Sequence, residues 1–221
     1  MPKRFTYHSV CMTAARTKSS ESDTKRKLLD AAVKLMLCKG FKATTVDAIC
    51  EEAGVTKGSF FHYFDSKEDI TKAAAKHFQE FQQRLFDGAD FRSLADPLER
   101  VHGRLDLLVE VARNPELPKS CLIGNLAQEV SGTHEQIRCL CESAFASGAT
   151  DFERDVAAAK LKHAPGADFD PASVARLYIA LIQGSMIIVK ASKNPAILED
   201  NVGHLRCYIE ALFGKRRSGR K

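Results

Sequence analysis

Apolar residues recur along this chain at the three- and four-residue steps that place them on one face of a helix. Leu28, Leu29, Ala32, Val33 and Met36 make the first stripe, with Lys39 in its last turn and Gly40 as a stop, so a helix is predicted over 23–39. Two short helices follow at 46–53 and 57–64, broken by Gly54, each with a threonine able to cap its start: Thr44 or Thr45, then Thr56. Ser66 with Asp69 is close to a capping box and opens a helix to about residue 87, carrying Ile70, Ala74, His77, Phe78, Phe81 and Leu85. His77 lies on that apolar stripe and reads as a satisfied core histidine. Asp96-Pro97 opens the next helix, buried through Leu98, Val101, Leu105, Leu108 and Val109, and the two prolines of 114–119 make a loop. A short apolar helix at 121–130, a long one at 134–162 and two more after Pro171 complete an all-α chain.

The last two helices predict more than a fold. Val174, Leu177, Tyr178, Leu181, Ile182, Ser185 and Val189 form one stripe, yet Ile179, Met186, Ile187 and Ile188 make other faces apolar too, and Gly184 permits close approach. Such a helix must be covered on more than one side. In the final helix Leu198, Val202, Leu205, Ile209 and Leu212 alternate steps of four and three, the seam of a coiled coil or four-helix bundle. Pairing both helices with a second copy of the chain would place Leu177, Leu181, Gly184, Ile188, Leu198, Val202, Leu205, Ile209 and Leu212 at a homodimer interface.

The pair at 46–64 has the outline of a helix-turn-helix, whose second helix enters the major groove of duplex DNA while the first crosses the backbone. The stripe at 28–36 would pack beneath it as a three-helix, homeodomain-like module. Phe60 and Phe64, four apart, are expected in the core, which leaves Lys57, Gly58, Ser59, Phe61, His62 and Tyr63 on exposed sides. Gly58 lets the backbone approach DNA, Ser59 can bond a base or phosphate, Lys57 can reach guanine or phosphate, and Phe61 or His62 can touch a thymine methyl. A plain packing unit would show the same two-helix spacing.

The order helix, GF-x-x-TTV, short helix, AGV-x-KGS-F-x-x-YF, SKE over residues 23–70 resembles the N-terminal domain of the TetR (tetracycline-repressor) family of bacterial transcriptional regulators. The resemblance implies that Thr45 and Lys67 hold phosphates, that Lys57, Gly58, Ser59 and His62 sit at base edges, and that Tyr63 lies near the backbone. It also implies a dimeric repressor on a near-palindromic operator, released by a small effector. The family usually has tyrosine at the position of Phe61, so one phosphate hydrogen bond is lost here.

Composition adds boundaries. A hydrophobic content of 44% and a charged content of 28% are ordinary for a soluble globular protein, and no apolar run was found that approaches the ~20 residues of a membrane span. A cytoplasmic protein with no membrane partner is expected. Lys3 and Arg4 are not followed by an apolar segment, so no secretory signal is expected, and the seven cysteines, an odd and widely spaced set, read as free thiols in a reducing compartment. The net charge of +5 resides in the ends: residues 1–22 carry +3 and 215–221 carry +5, leaving −3 for the body. These basic ends suit phosphate contacts or solvated tails. The division expected is a flexible basic arm at 1–21, the DNA-binding domain at 22–68, an effector-binding and dimerisation domain at 69–214 and a basic tail at 215–221.

No catalytic constellation, phosphate-cradling loop or metal-ligand spacing is found, so neither an enzyme nor a cofactor is expected. Cys139 and Cys141 point about 200° apart on a helix and read as two separate buried thiols; Cys38 and Cys50 read as core. Cys121 opens a helix, where the dipole can stabilise a thiolate. The segment CLIGNLAQEVS resembles that of a TetR subgroup in which a cysteine before Leu-Ile helps sense electrophiles or oxidants, and also that of relatives binding ordinary small molecules. Cys121, Leu122, Asn125, Leu126, Phe145, Gln183 and Met186 are therefore the candidate effector contacts. The rival from another class is an enzyme or interaction module using the helix-turn-helix for packing alone.

Overall fold

The computed structural model describes residues 20–214. They form α1 (Ser20–Ala43), α2 (Val46–Ala53), α3 (Lys57–Tyr63), α4 (Lys67–Asp87), a 3-10 turn (Asp90–Ser93), α5 (Pro97–Arg113), α6 (Leu122–Val130), α7 (Glu135–His163), α8 (Pro171–Ser192) and α9 (Ala196–Leu212). The N-terminal arm through residue 19 and the tail at 215–221 lie outside the described residues. The first helix begins at Ser20, earlier than its apolar stripe required, and Gly40 breaks it with φ 84° before it resumes to Ala43. The 3-10 turn, too short to show a period, was not foreseen.

The chain divides into two compact units. The first holds residues up to Leu85 together with Ser120–Ala144. There α1 packs on α2, α3 and α6, and Leu28, Met36, Ile49, Phe60, Ile70, Leu122 and Leu126 are almost wholly buried. Each such side chain contributes about 1.5–3 kcal/mol relative to exposure. His77 Nε2 meets Asp30 Oδ1 at 2.8 Å with its side chain 13% exposed, as a satisfied interior histidine should. The expected boundary at residue 68 thus differs from this division, because α4 and α6 share the interior of α1–α3. Cys50 is buried, but Cys38 is exposed: it lies at the solvent edge of the α1 stripe, and its place in the core is corrected.

The second unit holds Phe86–Lys119 and the chain from Phe145 onward. Asp96 and Asp170 cap α5 and α8, each followed by a proline in the first turn. Phe152 stacks on Tyr178 with centroids 4.2 Å apart, at the centre of a core drawn from α5, α7, α8 and α9. Arg104 is buried in this unit, its guanidinium 4.8 Å from the Phe86 ring and 3.8 Å from Asp151 Oδ2.

One sequence expectation fails here. Leu198, Val202, Leu205 and Ile209 are 0–4% exposed within one chain, and Leu212 is partly buried against the same core. The four-three seam of α9 therefore faces α5 and α8 of its own unit. By length and composition alone, α8 is apolar enough to cross a bilayer, with mean hydropathy 1.7 over its best window, a third of which is buried, a character that the core helix of a soluble protein shares. Its other face keeps Leu177, Ile187 and Ile188 at 41%, 46% and 49% exposure.

Candidate DNA-reading head

Two threonines start the two short helices. Thr45 Oγ1 accepts from the Ala48 amide at 3.1 Å and caps α2; Thr56 Oγ1 accepts from the Ser59 amide at 3.2 Å and caps α3. Gly54 joins them in the left-handed conformation, φ 65° and ψ 38°, donating its N–H back to Cys50 and Glu51. Thr44 is not a cap. It is wholly buried, and its hydroxyl donates to Gly40 O at 2.6 Å.

Phe60 is fully buried and Phe64 nearly so, their rings 5.8 Å apart. Those anchors turn the opposite side of α3 outward. Lys57, Gly58, Phe61 and His62 are exposed, Ser59 and Tyr63 are half-buried, and Thr45 is exposed at the start of α2. Phe61 is 55% exposed and edge-on to Phe60, an apolar surface left in water beside polar neighbours. His62 and Tyr63 meet edge-to-face at 4.7 Å. Thr56 and Ser59 share a hydroxyl hydrogen bond of 3.1 Å, which ties the Ser59 side chain to the helix start.

The two lysines behave differently. Lys57 Nζ reaches Asp47 Oδ1 of α2 at 2.7 Å, and that hydrogen bond raises the lysine pKa. Lys67, expected to hold a phosphate, instead donates to Phe41 O at 3.0 Å and lies 4.1 Å from the Phe41 ring centroid. Burial lowers its pKa, opposed by the nearby Glu129 carboxylate. Its ammonium is thus directed into the head. Sequence reading missed Asp47 as the partner of Lys57, although the acidic residue in the first turn of α2 was visible; Glu129 gave no local signal at all.

The candidate effector residues are divided between the two units. Cys121, Leu122, Asn125 and Leu126 belong to the first unit, whereas Phe145, Gln183 and Met186 belong to the second. Cys121 is the N-cap residue of α6, 6% exposed and without a side-chain cap bond. Its neighbour Cys141, also buried, has its thiol pushed up to about 11 by burial first and by Cys121 second. Cys139, by contrast, is exposed and donates to Glu135 at 3.5 Å, so only one of that pair is a buried thiol. In the second unit Met186 lines a cavity of about 10 Å³ with Val111, Lys119, Val189 and Leu198, room for one water. Lys119 Nζ there donates to the Val111 carbonyl at 2.9 Å and to that of Asn114, and burial lowers its pKa.

Comparison with known proteins agrees with this geometry. The model of bacterial regulatory proteins of the tetR family matches residues 28–74, and the tetracyclin repressor-like C-terminal domain matches 97–205. The chain is 29% identical over 195 residues to an uncharacterised HTH-type transcriptional regulator in the lacX 3' region of Lactococcus lactis subsp. lactis, covering 87% of this chain and 96% of that one. It is 23% identical over 194 residues to the HTH-type transcriptional repressor DhaR of Mycobacterium sp. strain GP1, covering 88% and 94%. Among solved structures, the regulatory protein TetR from Rhodobacter sphaeroides superposes with a TM-score of 0.72 at 25% identity, covering 82% and 96%. From helix-turn-helix to C-terminal helices, the chain belongs to the TetR family of DNA-binding transcriptional regulators.

Proposed function

We propose that the protein is a homodimeric cytoplasmic repressor that seats α3 of each protomer in the major groove of a near-palindromic operator and leaves it when a small effector binds. The observation that carries this reading is α3 itself. Phe60 and Phe64 anchor it from beneath, and Lys57, Gly58, Phe61 and His62 stand in solvent together. Lys57, Ser59 and His62 supply groups for base edges, Gly58 allows close approach, and Thr45 and Tyr63 take backbone phosphates. Phe61 offers a ring to a thymine methyl in place of a phenolic hydroxyl.

Leu177, Leu181, Gly184 and Ile188 of α8 supply the dimer face, since Leu177 and Ile188 remain about half exposed while the α9 seam is already covered. Tyr208 of α9 is exposed as well. The effector acts only through its preference for the DNA-free state, whatever its chemistry.

The test is fluorescence anisotropy with a duplex recovered by selection from a random pool. Affinity should fall steeply with salt, and the selected duplex should bind roughly 10³-fold or more tighter than unrelated DNA. Equal affinity for both duplexes would refute sequence-specific reading.

A further inference from the structure

The last turn of α1, beyond its break at Gly40, is held from outside the helix-turn-helix. Gly40 takes φ 84°, and a last helical turn over Phe41–Ala43 leads through Thr44 to Thr45, which caps α2. At this turn the Glu129 carboxylate of α6 accepts two backbone donors: Oε2 from the Phe41 amide and Oε1 from the Lys42 amide, each at 2.7 Å. One carboxylate thus satisfies two adjacent N–H groups, in bonds of the charge-assisted kind. The same peptide is gripped elsewhere. Phe41 O accepts from Lys67 Nζ at 3.0 Å and from the Thr44 amide at 3.1 Å, and the Phe41 ring meets His134 edge-on at 5.0 Å. Gly40 completes the fit, because a Cβ there would lie 2.7 Å from Glu129 Oε2.

We propose that Glu129 is a positioning residue for DNA reading: a latch by which α6 fixes the turn ahead of α2 and so sets the placement of α2 and α3. Eighty-eight residues separate it from Phe41 in sequence. Its negative charge by itself opposes binding to a polyanion. Positioning and charge therefore predict opposite signs when Glu129 is neutralised.

The experiment measures dissociation constants of full-length wild type, Glu129→Gln and Glu129→Ala for the selected duplex and for an unrelated duplex, counting active protein by stoichiometric titration. The expected result is about tenfold weaker binding of the selected duplex by Glu129→Ala, a change worth about 1.4 kcal/mol. Glu129→Gln, which keeps one acceptor, should show a smaller loss, and neither variant should lose affinity for unrelated DNA. Amide exchange at Phe41 and Lys42 should speed up in the same order. A purely structural role would lower the active fraction and melting temperature but leave the dissociation constant of the active protein unchanged, and that result overturns the proposal. Tighter binding of both duplexes overturns it as well, since the carboxylate would then act only by its field. Should Glu129→Ala fail to fold, the dissociation constant of Glu129→Gln decides alone: weaker on the selected duplex supports the latch, and unchanged or tighter refutes it.

Discussion

Replacing Lys67 with methionine separates two roles for this residue. The variant keeps an unbranched apolar stem over Phe41 and removes the ammonium. In the folded head that ammonium donates to Phe41 O at 3.0 Å and faces the ring at 4.1 Å. A hydrogen bond to a charged donor contributes about 1.5–3 kcal/mol, and a partly exposed cation–π contact about 0.5–1 kcal/mol. Against these stands the desolvation that lowers the lysine pKa, so the net loss is about 2 kcal/mol. At about 2–4 °C per kcal/mol for a chain of this size, the melting temperature should fall about 4–8 °C. Differential scanning calorimetry measures the shift, and anisotropy on the folded variant measures DNA affinity against salt. The refuting result is an unchanged melting temperature with uniformly weaker binding and a salt slope shallower by about 0.9 per head. That outcome would make Lys67 a phosphate contact.

Asp47→Asn frees Lys57 from its 2.7 Å partner and removes the carboxylate beside it, so affinity for duplex DNA should rise a few fold, with a steeper salt slope measured by anisotropy. Ile188→Asp should convert the dimer to monomer in sedimentation velocity with little change in melting temperature, whereas Leu205→Ala, at a position 1% exposed, should cost about 2–5 kcal/mol of stability by creating a cavity. Cys141 binds its proton more tightly folded than unfolded, so its contribution to stability is complete below pH 9 and is lost as the pH rises from 9 towards about 11; Cys141→Ala should flatten the alkaline fall in melting temperature. Iodoacetamide mass spectrometry at neutral pH should label exposed Cys38 and Cys139 before buried Cys121 and Cys141, and labelling of Cys121 first would contradict the burial.

Much of the reading head was legible because its signals are local: caps at Thr45 and Thr56, a break at Gly54, and Phe60 and Phe64 one turn apart. The α9 seam was legible as a stripe but not in its destination. Steps of four and three describe a face that needs covering, and α5 and α8 of the same unit cover it as well as a second chain would. Lys67 and Glu129 were opaque for a related reason. Both act on the backbone of Phe41, 26 and 88 residues away, and backbone acceptors and donors leave no residue-type signature at the other end of the contact. Cys38 and Cys139 show the limit of periodicity, which distinguishes the faces of a helix better than it fixes their edges.

The most direct test of the account is binding-site selection from random duplex DNA with wild type and with Ser59→Ala and His62→Ala in parallel. The account predicts a site of two inverted half-sites, with each substitution changing base preference at the same position in both halves while phosphate-driven binding to unrelated DNA stays level. Identical selected sites for all three proteins, or a site without two-fold symmetry, would contradict the claim that paired α3 helices read the operator.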